Sequence, residues 1–336
     1  MYNWYGVPES QITQAQDNNI EVDHSFFDAH LGGEIEFEDT YINSGSFLFR
    51  RFGDNQGSGE NRFIAKAKID VPINDIEIST DFKIDYLGGT FDNDYFGFGK
   101  MKYGNFQVGV IPSYEILEDD LTVNLGVSAY YLNDTEAGKS KFFIFPKVTA
   151  SYRLVDEVLI TYGGIEGDLI QNTYYDFAMQ NSFLSPTLSI IPTDQQYDAY
   201  IGLKGKLSNN MSYNIRGNYK GENNSALIKS NPVLIGENEN YQYGNSFGVV
   251  YDDIKTINLF GELKADFSKN VSIDLNGSFS RYFTTYQEEA WNLPSVKLGS
   301  NLNVIITKKW YAGANVFFVG KRKDLQVNTD VFALPS

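Results

Sequence analysis

The chain has no cysteine, only two histidines, nine prolines and no long apolar run. Without cysteine there is no disulfide, no thiolate nucleophile and no Cys-based zinc site. No stretch approaches the roughly 18 consecutive apolar residues that a spanning helix requires, and the mean hydropathy is −0.31. A helical membrane protein is thereby excluded. A membrane β-barrel is not, because its strands alternate lipid-facing apolar with lumen-facing polar residues and average out to polar. Cationic residues are scarce as well: 27 Lys and Arg stand against 43 Asp and Glu, a net charge of −16. Such a field repels polyanions, which argues against a nucleic-acid partner. The opening MYNWYGVPES carries neither a basic n-region nor an apolar h-region. No signal peptide is expected there, so this is either a mature chain or one whose true start lies upstream.

What the chain does have is 23 Tyr, 25 Phe and 30 Gly in a composition 42% hydrophobic and 21% charged. That balance excludes disorder and leans all-β. The dominant pattern is alternation with a period of two, the mark of a strand. In INLFGELKADF (257–267), Ile257, Leu259, Leu263, Ala265 and Phe267 share one face against Asn258, Glu262, Lys264 and Asp266, with Phe260 the exception. After Ser268-Lys269-Asn270 the alternation resumes from Val271 to Ser280, which predicts a hairpin.

The same unit recurs along the chain. Hairpins are expected over 25–52 (turning near 38–40), 61–86 (at Asn74-Asp75), 105–131 (at 118–120), 146–166 (at 155–157), 197–219 (at 208–210) and 296–320 (at 307–309). That makes about seven hairpins and about 14 strands, each longer than the strands of most soluble β-proteins. The connections between hairpins, at 87–104, 132–141, 171–195, 220–245 and 284–295, are long and polar. In an up-and-down meander the tight turns then share one rim and the long loops the other, as in outer-membrane barrels. Aromatics near strand ends fit interfacial girdles: Tyr86, Tyr130, Tyr131, Phe142, Phe143, Tyr162, Phe267, Tyr282, Phe283, Trp310 and Tyr311. A large soluble sandwich also has one apolar face per strand, so alternation alone does not separate the two. Strand length and loop sorting favour an all-β, antiparallel up-and-down transmembrane β-barrel in the cell outer membrane, with outer-membrane lipid as its first partner. Its expected layout is an N-terminal loop segment at 1–24, barrel strands over 25–322, and the start of a further loop or strand at 323–336.

YNWYGVPES, LFRRFGDNQGSGENRF, FGFGKMKYGNFQVGVIPSY and WYAGANVFFVGKRKDL, together with the strand-turn rhythm across nearly the whole chain, resemble outer-membrane barrels of the TonB-dependent-receptor-like family. The resemblance implies receptor-type or porin-like passage of a solute, with a small or siderophore-like ligand. Receptors of that class carry a plug domain and an energy-coupling box, neither of which has room before the first strand near residue 25. The resemblance also implies strands beyond VFALPS, hence a barrel incomplete at both ends. The reading from a different class is a non-transporting barrel that serves as a structural or assembly component for other envelope proteins.

Enzymatic chemistry finds little support, and no cofactor is expected. His24 and His30 share a strand face with Asp28, Glu34 and Glu36, a set better read as polar lumen residues than as a metal or acid-base cluster. Ala137-Gly138-Lys139-Ser140 echoes a phosphate-binding loop but lacks the upstream glycine, and Asp92 and Asp94 lack the spacing of a calcium loop. The charged residues on the expected inner face carry more information. Lys66, Lys83, Lys204, Arg216 and Lys264 are interleaved with Glu262, Asp266 and Asp274, as a hydrated interior requires. They read either as the lining of a solute path or as ion-pair ladders that hold the wall. The loop at 171–195 is unusually apolar, and Tyr174, Tyr175, Phe177 and Phe183 are the candidate ligand or partner contacts. The alternative is a loop packed over the barrel mouth or onto its neighbours. The Asn- and Glu-rich 220–245 reads as hydrophilic outer loop.

Overall fold

The structure, a computed structural model, describes residues 2–6, 23–38, 40–74, 76–97, 99–234 and 239–325. Most of the expected N-terminal loop segment, Asp39 and Asp75 of two expected turns, and 326–336 lie outside the described residues. Fifteen strands form one sheet in strict chain order, every neighbouring pair antiparallel. A short β1 (Tyr2–Trp4) precedes fourteen long strands. These are β2 (Asp23–Glu36), β3 (Ile42–Asp54), β4 (Gly59–Ile73), β5 (Ile76–Phe91), β6 (Met101–Glu118), β7 (Leu121–Asp134) and β8 (Lys139–Val155). They continue as β9 (Leu159–Ile170), β10 (Thr193–Ser208), β11 (Met211–Ser230), β12 (Phe247–Ser268), β13 (Val271–Phe283), β14 (Val296–Thr307) and β15 (Trp310–Val319). Among the described residues one helix, α1 (Tyr174–Gln180), lies between β9 and β10. Among the described residues the far side of β15 is unpaired, so the sheet does not close.

All seven expected hairpins are present, each with its turn at the expected place. Tight turns suit the left-handed backbone of Asn74, Asp119 and Asp156, residues that tolerate positive φ. At the opposite rim the connections run from four residues, at 55–58 and 135–138, to the long 171–192 and 231–246. Sorting by rim holds, but the expected connections are shorter than the sequence reading gave: residues 87–91, 101–104, 132–134, 139–141, 193–195 and 220–230 are strand.

Alternation separates the faces. Outward positions of β4 and β5 read Phe63, Ala65, Ala67, Ile69, Val71 and Ile78, Thr80, Phe82, Ile84, Tyr86. Those of β12 read Ile257, Leu259, Gly261, Leu263 and Ala265, without a charge among them. Large apolar side chains on this face are exposed, among them Leu31, Phe82, Phe142, Ile201, Leu259 and Phe279. A sandwich would cover such a face with a second layer, and no other sheet is present among the described residues.

Four of the expected girdle aromatics turn inward instead. Tyr130 and Phe143 pack with Phe145, Tyr162 donates to Asn214 Oδ1 at 2.6 Å, and Tyr282 donates to the Pro294 carbonyl. Glycine on the facing strand makes the room: a Cβ at Gly109 would lie 2.4 Å from the Tyr130 ring, and one at Gly202 2.4 Å from Tyr162.

Candidate functional site

The inner face carries the charges. Arg62 grips Asp85 with two hydrogen bonds, Nε to Oδ1 at 2.9 Å and Nη2 to Oδ2 at 2.8 Å, while Lys83 Nζ stands 3.3 Å from the same carboxylate. Asp85 is fully buried, and planar two-point pairing of this kind is what makes a buried carboxylate tolerable. Lys66 lies directly across the strand pair from Lys83. Arg216 reaches Asp198 at 2.9 Å and stacks over the Tyr200 ring, and the Tyr200 hydroxyl in turn donates to Glu166. The Lys204 ammonium sits 5.4 Å from the Tyr162 ring centre. Lys264 lies 3.3 Å from Glu262 and is the cross-strand neighbour of Asp274, while Asp266 is exposed opposite Ser272 near the turn. Mixed signs in paired rows are thus the structure of the wall's inner surface.

Toward the short-turn rim the inner face opens into a concavity of about 840 Å³. Carboxylates outnumber ammoniums there, with Asp70, Glu77, Asp81, Glu115 and Glu166 facing Lys68 and Lys147.

Toward the long-connection rim the inner face becomes apolar, and the connection at 171–192 is folded against it. Thr173 caps α1 by accepting from the Asp176 amide. Tyr174, Phe177, Leu184, Leu188 and Ile190 pack on Phe52, Leu87, Phe91 and Tyr103 from the strands. Two acidic side chains of the wall hold the helix. Glu60 accepts from the Tyr174 amide at 2.7 Å and from the Tyr103 hydroxyl at 2.8 Å. Asp54 accepts from the Tyr174 hydroxyl at 2.6 Å and pairs with His24 at 3.1 Å. Burial, reinforced by Asp54, keeps the Tyr174 phenol protonated well above its ordinary range. Arg62 Nη1 approaches Asp176 at 3.8 Å, and Arg50 stacks on Tyr175, linking helix and wall again.

The other long connections also fold inward. Tyr95 donates to the Pro232 carbonyl at 2.7 Å, and Gln242 Nε2 donates to the Tyr95 carbonyl, joining 92–100 to 231–246. Tyr241 and Tyr243 are both 1% exposed, so the tip expected to be a hydrophilic outer loop is an aromatic packing element. Asp252 accepts from the amides of Thr285, Tyr286 and Gln287, which fixes the start of 284–295.

Of the loop contacts read from sequence, Tyr174 and Phe177 are buried in the mouth, Tyr175 is half-buried, and Phe183 is 40% exposed. His30 lies 3.5 Å from Asp28, whereas His24 is drawn away into the Tyr5, Asp54 and Tyr174 network, so the two histidines do not converge. No group of three or more His, Asp or Glu side chains suited to a metal ion occurs among the described residues. Sequence reasoning missed Glu60, Asp54 and the mouth core. Its legible signal was the run of apolar residues at inward positions, Phe52, Leu87, Phe91 and Tyr103, at the long-loop ends of otherwise alternating strands.

No protein-family profile matches the sequence, and no curated protein matches it. Solved structures do match in fold. The chain superposes on the copper transporter OprC with a TM-score of 0.54 at 12% identity, over 88% of this chain and 53% of that one. On the ferric enterobactin receptor PfeA of Pseudomonas aeruginosa (an R480A, Q482A mutant) the score is 0.56 at 10% identity, over 90% and 50%. On the siderophore receptor PirA of Pseudomonas aeruginosa it is 0.56 at 10% identity, over 89% and 54%. The chain therefore spans about half the length of the proteins it matches. At these identities the likeness is one of fold: the antiparallel barrel wall of outer-membrane receptors, in the incomplete form that the sequence resemblance implied.

Proposed function

We propose that this chain is the wall of an outer-membrane barrel through which a solute passes, its inner face the path and its folded long connections the closure of the outer mouth. The observation that carries this is the division of the sheet, with exposed apolar residues outside and paired charges inside. In water an uncovered apolar face of this size is untenable, whereas lipid covers it, and between neighbouring strands the backbone hydrogen bonds are made within the sheet. The names of the matching proteins, a copper transporter and receptors for ferric siderophores, support metal or metal-chelate uptake as the class of passage. A siderophore-like solute meets the wall through Lys66, Lys83, Lys204, Arg216 and Lys264, cations suited to an anionic chelate, with Glu262, Asp266 and Asp274 setting the opposing rings. Phe183 meets the ligand directly at the mouth, and Tyr174, Tyr175 and Phe177 act by holding its loop in place.

The packed mouth core favours a second reading, a barrel that does not conduct and serves instead as a structural or assembly component for envelope proteins. Planar-bilayer recording of the folded chain, before and after deletion of 174–184, separates the two. Conductance that appears or rises on deletion supports a gated path. A silent bilayer in both cases, with the protein demonstrably inserted, supports the assembly role.

A further inference from the structure

On the outward face of β3 to β6, side chains fall into rows set by the register. Phe49, Phe63, Tyr86 and Phe106 are consecutive cross-strand neighbours, an aromatic row at the edge of the apolar belt. One row nearer the long-connection rim stand Arg51, Asn61, Gly88 and Gly104, and one beyond that Gly53, Gly59, Thr90 and Lys102. The glycines leave a cleft of about 270 Å³ that Arg51, Asn61, Tyr86, Thr90 and Lys102 line, with Glu136 its one carboxylate. The Arg51 guanidinium lies over Gly59, its Nη2 2.6 Å from where a Cβ would be, so a side chain at 59 would push it aside. The Tyr86 hydroxyl turns toward the cleft over Gly88.

Arg51 and Lys102 are both exposed, and neither enters an ion pair among the described residues. Around the sheet the pattern repeats: above Ile257 and Phe279 on the same outward face come Lys255 and Arg281, with the Arg281 guanidinium 5.1 Å from the Phe283 ring. On β3, β6, β12 and β13 the first outward charge above the belt at this rim is cationic (Arg51, Lys102, Lys255 and Arg281), whereas on β2 it is Asp23, and Asp253 stands further out along β12. Lysine and arginine placed just past an aromatic row extend toward headgroups while their stems stay on the apolar surface.

We propose that the cleft between β3 and β6 binds the phosphate of a phosphorylated lipid in the leaflet at the long-connection rim. Arg51 supplies paired planar donors and Lys102 a point charge. Asn61 and the Tyr86 hydroxyl add neutral donors, and the acyl chains run down over Phe49, Phe63 and Phe106. The inference rests on the membrane-wall reading above, since the acyl chains need the apolar belt below the cleft.

The test folds the full chain into phosphatidylcholine vesicles doped with lipid A, or with lipid A stripped of its phosphates, and measures the dopant retained on the protein after detergent extraction. The intact lipid is expected to be retained in preference, and the preference to fall about tenfold or more in Arg51→Gln/Lys102→Gln, because charge-assisted contacts are lost. Lys255→Gln/Arg281→Gln, away from the cleft, should leave the preference at the cleft in place. Equal retention by wild type and the Arg51/Lys102 variant overturns the proposal, and so does displacement of the lipid by inorganic phosphate at comparable concentration, which would make the site one for a free ion. Failure to insert into undoped phosphatidylcholine vesicles, read by heat-modifiable gel mobility, overturns the wall reading and the proposal with it. Insertion without preference overturns the proposal alone.

Discussion

Glu60 of the wall accepts from the backbone amide of Tyr174 at 2.7 Å, a contact between residues 114 apart in the chain that seats the helix of the longest connection inside the barrel mouth. The carboxylate is nearly fully buried and also takes the Tyr103 hydroxyl, so wall, helix and core meet at one group. Replacing it with alanine leaves two buried donors without an acceptor, a cost of about 1–3 kcal/mol to loop docking. Limited proteolysis should then cut within 171–192 much faster while the strands stay protected, and Glu60→Gln, which retains an acceptor, should restore much of the protection. Cutting at the wild-type rate in Glu60→Ala would show that the loop is held by apolar packing alone.

The two kinds of inner-face ion pair should respond differently. Asp85 is buried under Arg62 and Lys83, so Asp85→Ala strands two cations and should cost on the order of 3 kcal/mol. Lys264 is more than half exposed beside Glu262, and Lys264→Ala should cost less than about 1 kcal/mol. Urea titrations of the two variants in the same lipid check the ordering, and equal costs would count against a buried Arg62–Asp85 clasp.

Alkaline pH should open the mouth before it unfolds the wall. Burial raises the phenol of Tyr95 and, with Glu239 beside it, that of Tyr241; it also raises Tyr174. A group whose folded pKa lies above its unfolded one contributes stability that is complete below the unfolded value, about 10 for tyrosine, and is lost as pH rises through the folded value. Protease sensitivity of 171–192 and 239–246 should therefore stay flat to about pH 10 and climb above it, while tyrosinate absorbance shows a late-titrating fraction. A single titration of all tyrosines at the ordinary value would contradict the packed mouth.

If the inner cations line a path, Lys66→Glu/Lys83→Glu should move the reversal potential toward cation selectivity, because fixed charge in a narrow pore acts at short range. Release of the mouth loop by deletion of 174–184 provides the conducting background. An unchanged reversal potential in a folded variant would assign these lysines to the wall's stability instead.

The barrel wall was legible in the sequence because the two faces of the sheet carry opposite chemistry on successive residues, as at Leu263 and Lys264. Legibility failed where that contrast ends. In β11 the segment Lys220-Gly221-Glu222-Asn223-Asn224-Ser225 is polar on both faces and carries a register shift between Glu222 and Ser225, so it reads as loop although it pairs with β12. The mouth core was hidden for the converse reason: Phe52, Leu87 and Tyr103 sit at inward positions, where alternation predicts polarity, and their partners arrive from a connection more than 60 residues away. The inward turn of Tyr130 and Tyr162 depends on glycines of neighbouring strands, a relationship that becomes visible only once register is known.

The central claim is that the outward face meets lipid, and consecutive residues of β12 test it. Leu263 faces outward between Tyr213 and Leu275, and Lys264 faces inward beside Glu262. Folding titration into lipid vesicles should show Leu263→Arg destabilised by about 2–4 kcal/mol and Lys264→Leu by far less. Equal losses, or a greater loss for Lys264→Leu, would contradict the account.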